Sequence, residues 1–405
     1  MPKRPVYDLL MRRRLPALAL AIGAVAVASC SDTDDDAAVS TLERPTTAPA
    51  DVAPADTAPA DATPADATPA DAAPSSTATP TTTSASTTTS SESTTTTVAP
   101  EAQALELCSY DTTFMLGQAQ NPALDEASGL VASRRYGGVI WAHNDGGENP
   151  GLFAIATDGT DLGFHPLAID GVSDVEDIAT FSGSSGDDIL LADIGDNGAR
   201  RASIRIYRFA EPDPAVIATI TDVEVIDYVY PDRPHNAEVL LVDEANRQIV
   251  IVTKEQGVVD GLPAEFGPTA PSFVFAGPLD AGGGEPLDAR GGSTNELVLV
   301  GMLDTPLLET RTTAVTSNPI SLLGFGGVPT GGDVSPDGAL IALRTYETIW
   351  LWPRLAERSV AEALASDPCQ VRVAPEGQGE AVAFFENSLI TLSEGSNQPL
   401  FERRP

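Results

Sequence analysis

The chain has 405 residues, with 23 lysines and arginines against 58 aspartates and glutamates, three histidines and three cysteines. A net charge of −35 and a pI near 4.1 exclude a nucleic-acid backbone or an anionic membrane surface as an electrostatic partner, since both would repel it. A hydrophobic fraction of 42% suits a globular protein, whereas 34 Gly and 33 Pro beside only 5% aromatics call for turns, linkers or both.

The first element is an export signal over 1–29. Arg12, Arg13 and Arg14 precede an apolar run from Leu15 to Val27, too short to span a membrane as a stable helix but sized for a signal h-region. It ends Val27-Ala28-Ser29-Cys30, which resembles the lipobox of bacterial lipoproteins. That resemblance implies lipid transfer to the Cys30 sulfur, with acyl chains such as palmitate, and cleavage that makes Cys30 the new N-terminus at the outer face of the cell membrane. A simple secretory signal or an uncleaved anchor is the alternative. Met11 is a second candidate start, and the export route, Sec or twin-arginine, stays open.

Residues 30–103 form the second element, a disordered tether. From Ser31 onward it is Ala, Pro, Thr, Ser and Asp, with Pro54, Pro59, Pro64, Pro69 and Pro74 recurring every five residues and a Thr/Ser tract from Ser75 to Thr97. Such a chain has too little to bury to offset its ordering entropy. Its reach is roughly 50 Å as a flexible coil and about 200 Å if polyproline-like.

The remaining 104–405 read as one folded domain, with 17 basic against 45 acidic residues and a single lysine, Lys254. Cys108 and Cys369 lie near its two ends and, in an exported protein, read as a disulfide. Two separate buried thiols are the alternative. Short apolar runs ending in a polar or small residue recur at Val139–His143, Ile189–Asp193, Ile249–Thr253, Leu297–Gly301, Leu340–Arg344 and Leu389–Ser393. Ahead of most of them lies a second recurring element: Ser128-Gly129-Leu130, Glu176-Asp177-Ile178, Glu238-Val239-Leu240, Asp333-Val334-Ser335 and Glu380-Ala381-Val382, with Asp288-Ala289-Arg290 the nearest candidate for the fourth unit. Six strand-rich units of about 50 residues predict an all-β fold, a six-bladed β-propeller.

The Ser128-Gly129-Leu130, Trp141–Gly146, Val175–Ala179, Asp193–Asn197 and Gln378–Ala381 stretches resemble an actinobacterial propeller family and, more distantly, six-bladed propellers of the gluconolactonase and esterase-like phytase type. Gluconolactonase-type resemblance implies one divalent cation on a Glu, Asn and Asp set at the channel. Ser128 stands where that family opens its first blade with Glu, so the triad does not transfer outright.

In a blade the innermost strand starts on the face where the second strand ends, so both recurring elements open onto one surface. That surface is expected to gather Glu126, Ser128, His143, Asn144 and Asp145; Asp174, Glu176, Asp177, Asp193, Asp196 and Asn197; His235, Asn236, Glu238, Lys254 and Glu255; Arg290; Asp333, Arg344 and Tyr346; and Glu380, Ser393 and Glu394. Converging carboxylates repel unless protonated, bridged or bound to a cation. The oxygen donors Glu176, Asp193, Asp196, Glu238 and Glu380 suit Ca²⁺ or Mg²⁺ better than Zn²⁺. Strand-starting carboxylates capping backbone N–H groups, neutralised by Arg344 and Lys254, are the alternative. Asp145, Lys254, Asp333, Arg344 and Glu394 are the expected binding residues, and His143 and His235 the candidates for a catalytic base. No nucleophile elbow or P-loop is present. Two functions remain: a surface-anchored binding or scaffolding propeller for an unidentified ligand or small molecule, or an extracytoplasmic metal-dependent hydrolase of esters, lactones or phosphoesters.

Overall fold

The computed structural model describes residues 109–405, apart from 111, 147–148, 184–185, 256–257, 260–261, 264–269, 281–293 and 313–325. All of these belong to the unit spanning Ser90–Pro405. The signal, Cys30, the tether and Cys108 lie outside the described residues.

Strand β1 (Thr112–Gln118) comes first, followed by β2 (Ala127–Ala132), β3 (Val139–Asn144), β4 (Gly151–Ala156) and β5 (Asp161–Pro166), which form one antiparallel sheet. The second sheet is β6 (Val175–Gly183), β7 (Gly186–Asp193), β8 (Ile204–Ala210) and β9 (Glu224–Val229). The third uses β10 (Ala237–Asp243) and β11 (Gln248–Thr253). A two-residue pair, β12 (Val258–Val259) and β13 (Leu262–Pro263), follows, and the sheet resumes with β14 (Ser272–Pro278). Strand β15 (Thr294–Glu296) joins β9 in parallel, and β16 (Val298–Leu303) completes the third sheet. After helix α1 (Thr305–Thr312), the fourth sheet is β17 (Pro329–Val334), β18 (Leu340–Thr345) and β19 (Thr348–Pro353), then, past helix α2 (Val360–Leu364), β20 (Cys369–Arg372). The fifth is β21 (Gly379–Phe385), β22 (Ser388–Ser393) and β23 (Pro399–Arg404), with β1 antiparallel to β23 as its outer strand.

The innermost strands β2, β6, β10, β17 and β21 each touch the next, and β21 touches β2, closing a ring around a channel. The chain is a β-propeller, with five blades among the described residues. The six expected units are corrected to five at Leu297–Gly301. Val298 to Gly301 fall on β16, the outer strand of the third blade, where Val298, Leu299 and Met302 are 61%, 48% and 62% exposed. A short apolar run reads the same whether its strand lies inside a blade or on its rim; only its neighbours differ. Asp288-Ala289-Arg290, the element expected ahead of it, lies outside the described residues.

The core consists of five seams, one between each pair of adjacent blades. Leu130, Ile140 and Phe153 of the first blade meet Ala383 and Ile390 of the fifth, while Val131, Trp141 and Leu152 on the other face meet Ile178, Ile189 and Tyr207 of the second. Blades two and three meet through Ile206, Leu240 and Phe275, three and four through Leu241, Ile341 and Trp350, four and five through Ile349, Leu351 and Phe384. Both faces of the middle strands are therefore buried, which explains why they read as continuous apolar runs and not as alternation. Each large side chain buried this way contributes about 1.5–3 kcal/mol.

Candidate functional site

The inner strands carry a defect at the same place in every blade. The register slips between Ala127 and Gly129, Val175 and Asp177, Ala237 and Val239, Pro329 and Gly331, and Gly379 and Ala381. The residue skipped is Ser128, Glu176, Glu238, Thr330 or Glu380, and all five are buried. A bulge bends its strand and re-aims a side chain, and here it does so five times at one level of the channel. The hydroxyls tie neighbouring blades: Ser128 Oγ donates to Glu176 O at 2.8 Å, and Thr330 Oγ1 donates to Gly379 O at 3.0 Å.

The second strands end on the same face, since Asn144, Asp193, Thr253, Thr345 and Ser393 pair with the first residues of the inner strands. Three of these polar ends cap the incoming loop. Asn144 Oδ1 accepts from Glu126 N at 3.3 Å, Asp193 Oδ1 from Asp174 N at 3.0 Å, and Ser393 Oγ from Gln378 N at 2.9 Å. The residues just before these three bulges, Glu126, Asp174 and Gln378, are thereby fixed at the channel mouth.

Lys254 follows the third of these ends. Its Nζ donates to Glu238 Oε1 at 2.8 Å and to Tyr346 Oη at 3.1 Å. Burial alone would push the ammonium down, but Glu238, Tyr346, Glu380 and Glu176 hold it well above its ordinary value. Glu380 Oε1 accepts from Gln378 Nε2 at 3.1 Å, its Oε2 is buried without a hydrogen-bond partner, and burial raises the carboxyl. One ammonium cannot neutralise three ring glutamates.

On the side of the first two blades, Asp145, Asp174 and Glu176 bring one carboxylate oxygen each to within 4.8 Å of one another. Burial, then Asp145, pushes the Asp174 carboxyl up to about 7. Burial, then Glu238 and Asp145, raises Glu176 well above the carboxylate range. Glu394 is raised by burial and by Asp145. Asp145 Oδ1 is buried without a hydrogen-bond partner. Gly195 closes one side of this triad: a Cβ there would overlap Glu176 Oε1 and lie 2.5 Å from Asp174 Oδ2. An all-oxygen set with open lone pairs and a pressed-in backbone fits a hard divalent ion, Ca²⁺ or Mg²⁺, and offers zinc no nitrogen or sulfur.

The other predicted residues fall elsewhere. Asp193 is fully buried, paired with Arg201 Nη1 at 2.7 Å, and accepts from Ser173 N and Asp174 N. Asp196 accepts from Arg200 N and Arg201 N at 2.5 and 2.6 Å and so holds its own turn. Both are 8% exposed or less, and their engaged oxygens brace the loop beneath the triad. His143 Nδ1 lies 3.0 Å from Asn144 O, Nε2 is buried without a partner, and burial pushes the ring down to about 4, so it is neutral. His235 stands between Glu255 Oε1 at 2.6 Å and Asp232 Oδ1 at 3.0 Å, inside a cage of Tyr230, Phe273 and Phe275. Asp333 is displaced from the expected surface. Its strand places Thr330 at the bulge, and Asp333 is three residues further along, accepting from Val334 N and Phe384 N at 2.8 Å. Arg344 is completely buried, its Nη2 donating to Glu376 Oε2 at 2.7 Å. Cys369 opens β20 half-buried, and the expected Cys108–Cys369 bond involves a residue outside the described ones.

Sequence reasoning missed the ring position of Thr330, the contact made by Gly195 and the bracing pair Asp193–Arg201. It placed Asp174 on the surface without naming it a ligand, although Asp174 precedes its bulge by two residues as Glu126 and Gln378 precede theirs.

Among solved structures the chain is similar to the PQQ-bound form of aldose sugar dehydrogenase from Streptomyces coelicolor, at 12% identity over 72% of this chain and 98% of that one, with a TM-score of 0.38. It is also similar to a glucose dehydrogenase, at 11% identity over 73% and 99% with a TM-score of 0.36, and to a nidogen/laminin complex, at 8% over 67% and 73% with a TM-score of 0.35. No family model and no curated protein matches the chain. The propeller assignment rests on the chain's own strand order and register.

Proposed function

We propose that the protein is a cation-dependent binding propeller held at the outer face of the cell membrane. In this reading Asp145, Asp174 and Glu176 hold one Ca²⁺ or Mg²⁺ at the channel mouth, and the face around it, with Lys254, Tyr346, Glu380 and Glu394, receives a ligand or partner. One observation carries the reading: three carboxylates from two blades converge with their oxygens within 4.8 Å of one another, while the channel's ammonium, Lys254, donates to Glu238. Lipid on Cys30 supplies the anchor and residues 30–103 the tether that carries the domain outward.

Hydrolysis of an ester, lactone or phosphoester by water on that ion is the second reading. It draws on the same three carboxylates, since an ion they held would lower the pKa of its bound water toward neutrality. Against it, both nitrogens of His235 are engaged by Glu255 and Asp232, and His143 is 1% exposed.

The test is calcium titration of the exhaustively chelated protein by calorimetry. Binding of one ion is expected, with an affinity on the order of 10⁻⁴–10⁻³ M as in extracellular modules. Asp174→Asn and Glu176→Gln should abolish it. Absence of any calcium-dependent heat overturns the reading. Turnover of an ester, lactone or phosphoester panel that needs calcium would select the second reading over the first.

A further inference from the structure

A cavity of about 730 Å³ lies beside Asp145, lined mainly by the first blade and its loops and reaching Val175 and Leu191 of the second. Its walls include Phe153 and Phe164, ring centroids 4.7 Å apart, with Val175 and Leu191. Asp125, Glu126 and Asp145 stand around it, and among the described residues no lysine or arginine lines it. The cavities near Asp333 differ in this respect, since Arg134 lines both. A volume of this size is within the range of small-molecule sites, and here polar and apolar groups share the wall.

The charged groups of the cavity are carboxylates: Asp125, Glu126 and Asp145. Asn144 Nδ2 donates to Ala123 O at 2.7 Å and to Asp125 Oδ1 at 3.4 Å, and Asn121 Nδ2 to Asp161 Oδ2 at 3.1 Å. Both Asn144 amide hydrogens and one of Asn121's are thus engaged within the protein. Asp145 Oδ1 is buried without a partner, whereas His143 Nε2 is packed against Gly129. A ligand that satisfies this lining brings hydrogen-bond donors, positive charge and an apolar body. Phe153 and Phe164 add an aromatic face, which attracts a cation further.

We propose that this cavity is a binding site for an organic cation, a primary ammonium on a short apolar body, held by Asp145 and Glu126 above the Phe153–Phe164 pair. The site adjoins the proposed metal triad through Asp145 but uses neither Asp174 nor Glu176. Two ligands can thus be told apart by mutation.

The probe is 2-phenylethylamine, titrated calorimetrically into the full chain with excess chelator so that no divalent ion takes part. Its alcohol isostere, 2-phenylethanol, serves as the uncharged control. The amine should bind saturably, with the alcohol at least about tenfold weaker, Asp145→Asn costing about tenfold and Glu126→Gln about threefold. Glu176→Gln should leave amine binding intact while abolishing calcium binding. Thermal melts establish that each variant is folded. Equal binding of amine and alcohol, an Asp145→Asn protein that binds the amine unchanged, or no saturation would each overturn the proposal. Amine binding without calcium binding would leave it standing and remove the metal reading instead.

Discussion

At the scale of single residues, the channel is a balance between burial and charge, and pH shifts that balance in a definite direction. Unfolded, an aspartate such as Asp174 titrates near 3.8; folded, burial and Asp145 push this one to about 7. Between those values the folded chain keeps a proton that the unfolded chain has released, so its contribution to stability is complete below about pH 4 and is lost as pH rises to about 7. Chelated protein should therefore lose thermal stability across that window, less so in Asp174→Asn, and calcium should reduce or reverse the loss, because the ion prefers the deprotonated triad. Melts at a series of pH values, with and without calcium, check this. Asp177 plays a different part, one residue past the bulge. It accepts from Ile178 N at 2.9 Å, Leu240 N at 2.8 Å and Gly332 N at 3.2 Å, binding three blades through one carboxyl. Asp177→Ala leaves three buried donors unmatched and should cost about 3 kcal/mol or more in urea unfolding, whereas Asp177→Asn keeps an acceptor and should cost less.

At the scale of strands and loops, two glycines show how tightly the ring is built. A Cβ on Gly195 meets carboxylate tips, which can move, so Gly195→Ala should weaken calcium binding at least about tenfold while changing the melting temperature little. A Cβ on Gly379 would overlap the Arg344 guanidinium, which is fully buried and held by Glu376, so that the neighbour cannot yield. Gly379→Ala should therefore destabilise by about 1–3 kcal/mol, readable in denaturant unfolding. These elements were partly legible in the sequence. Apolar runs with polar ends gave the second strands of all five blades, and four of the inner-strand motifs were placed correctly because Ser128, Glu176, Glu238 and Glu380 sit at like distances from those ends. Asp333 was not, because Thr330, a neutral residue between Pro329 and two glycines, occupies the bulge and looks like a loop. A bulge has no sequence signature beyond one side chain. Asp193 pairs with Arg201 inside its own blade, but which carboxylates remain open depends on contacts across blades that no local pattern encodes.

At the scale of the whole molecule, a ring of blades is stable only if it is shut. The last blade is completed by the first strand, with Thr112 opposite Arg404 and Gln118 opposite Pro399. Losing 112–118 would uncover β23 along its length and leave the fifth blade a strand short, so a chain beginning at 119 should unfold at lower denaturant and bind no calcium if the ring opens. Cys108 precedes this closing strand by four positions, and Cys369 opens β20, the outer strand of the neighbouring blade. The proposed disulfide would therefore tie the closing strand to the ring it shuts. It would span most of the domain's sequence, and chain-entropy reasoning assigns loops on the order of a hundred residues or more about 4–5 kcal/mol. Mass spectrometry of the unreduced protein should find Cys108 linked to Cys369, and reduction or a Cys369→Ser substitution should lower the melting temperature. A native protein in which both cysteines react with a thiol reagent would show instead that strand pairing alone keeps the ring closed.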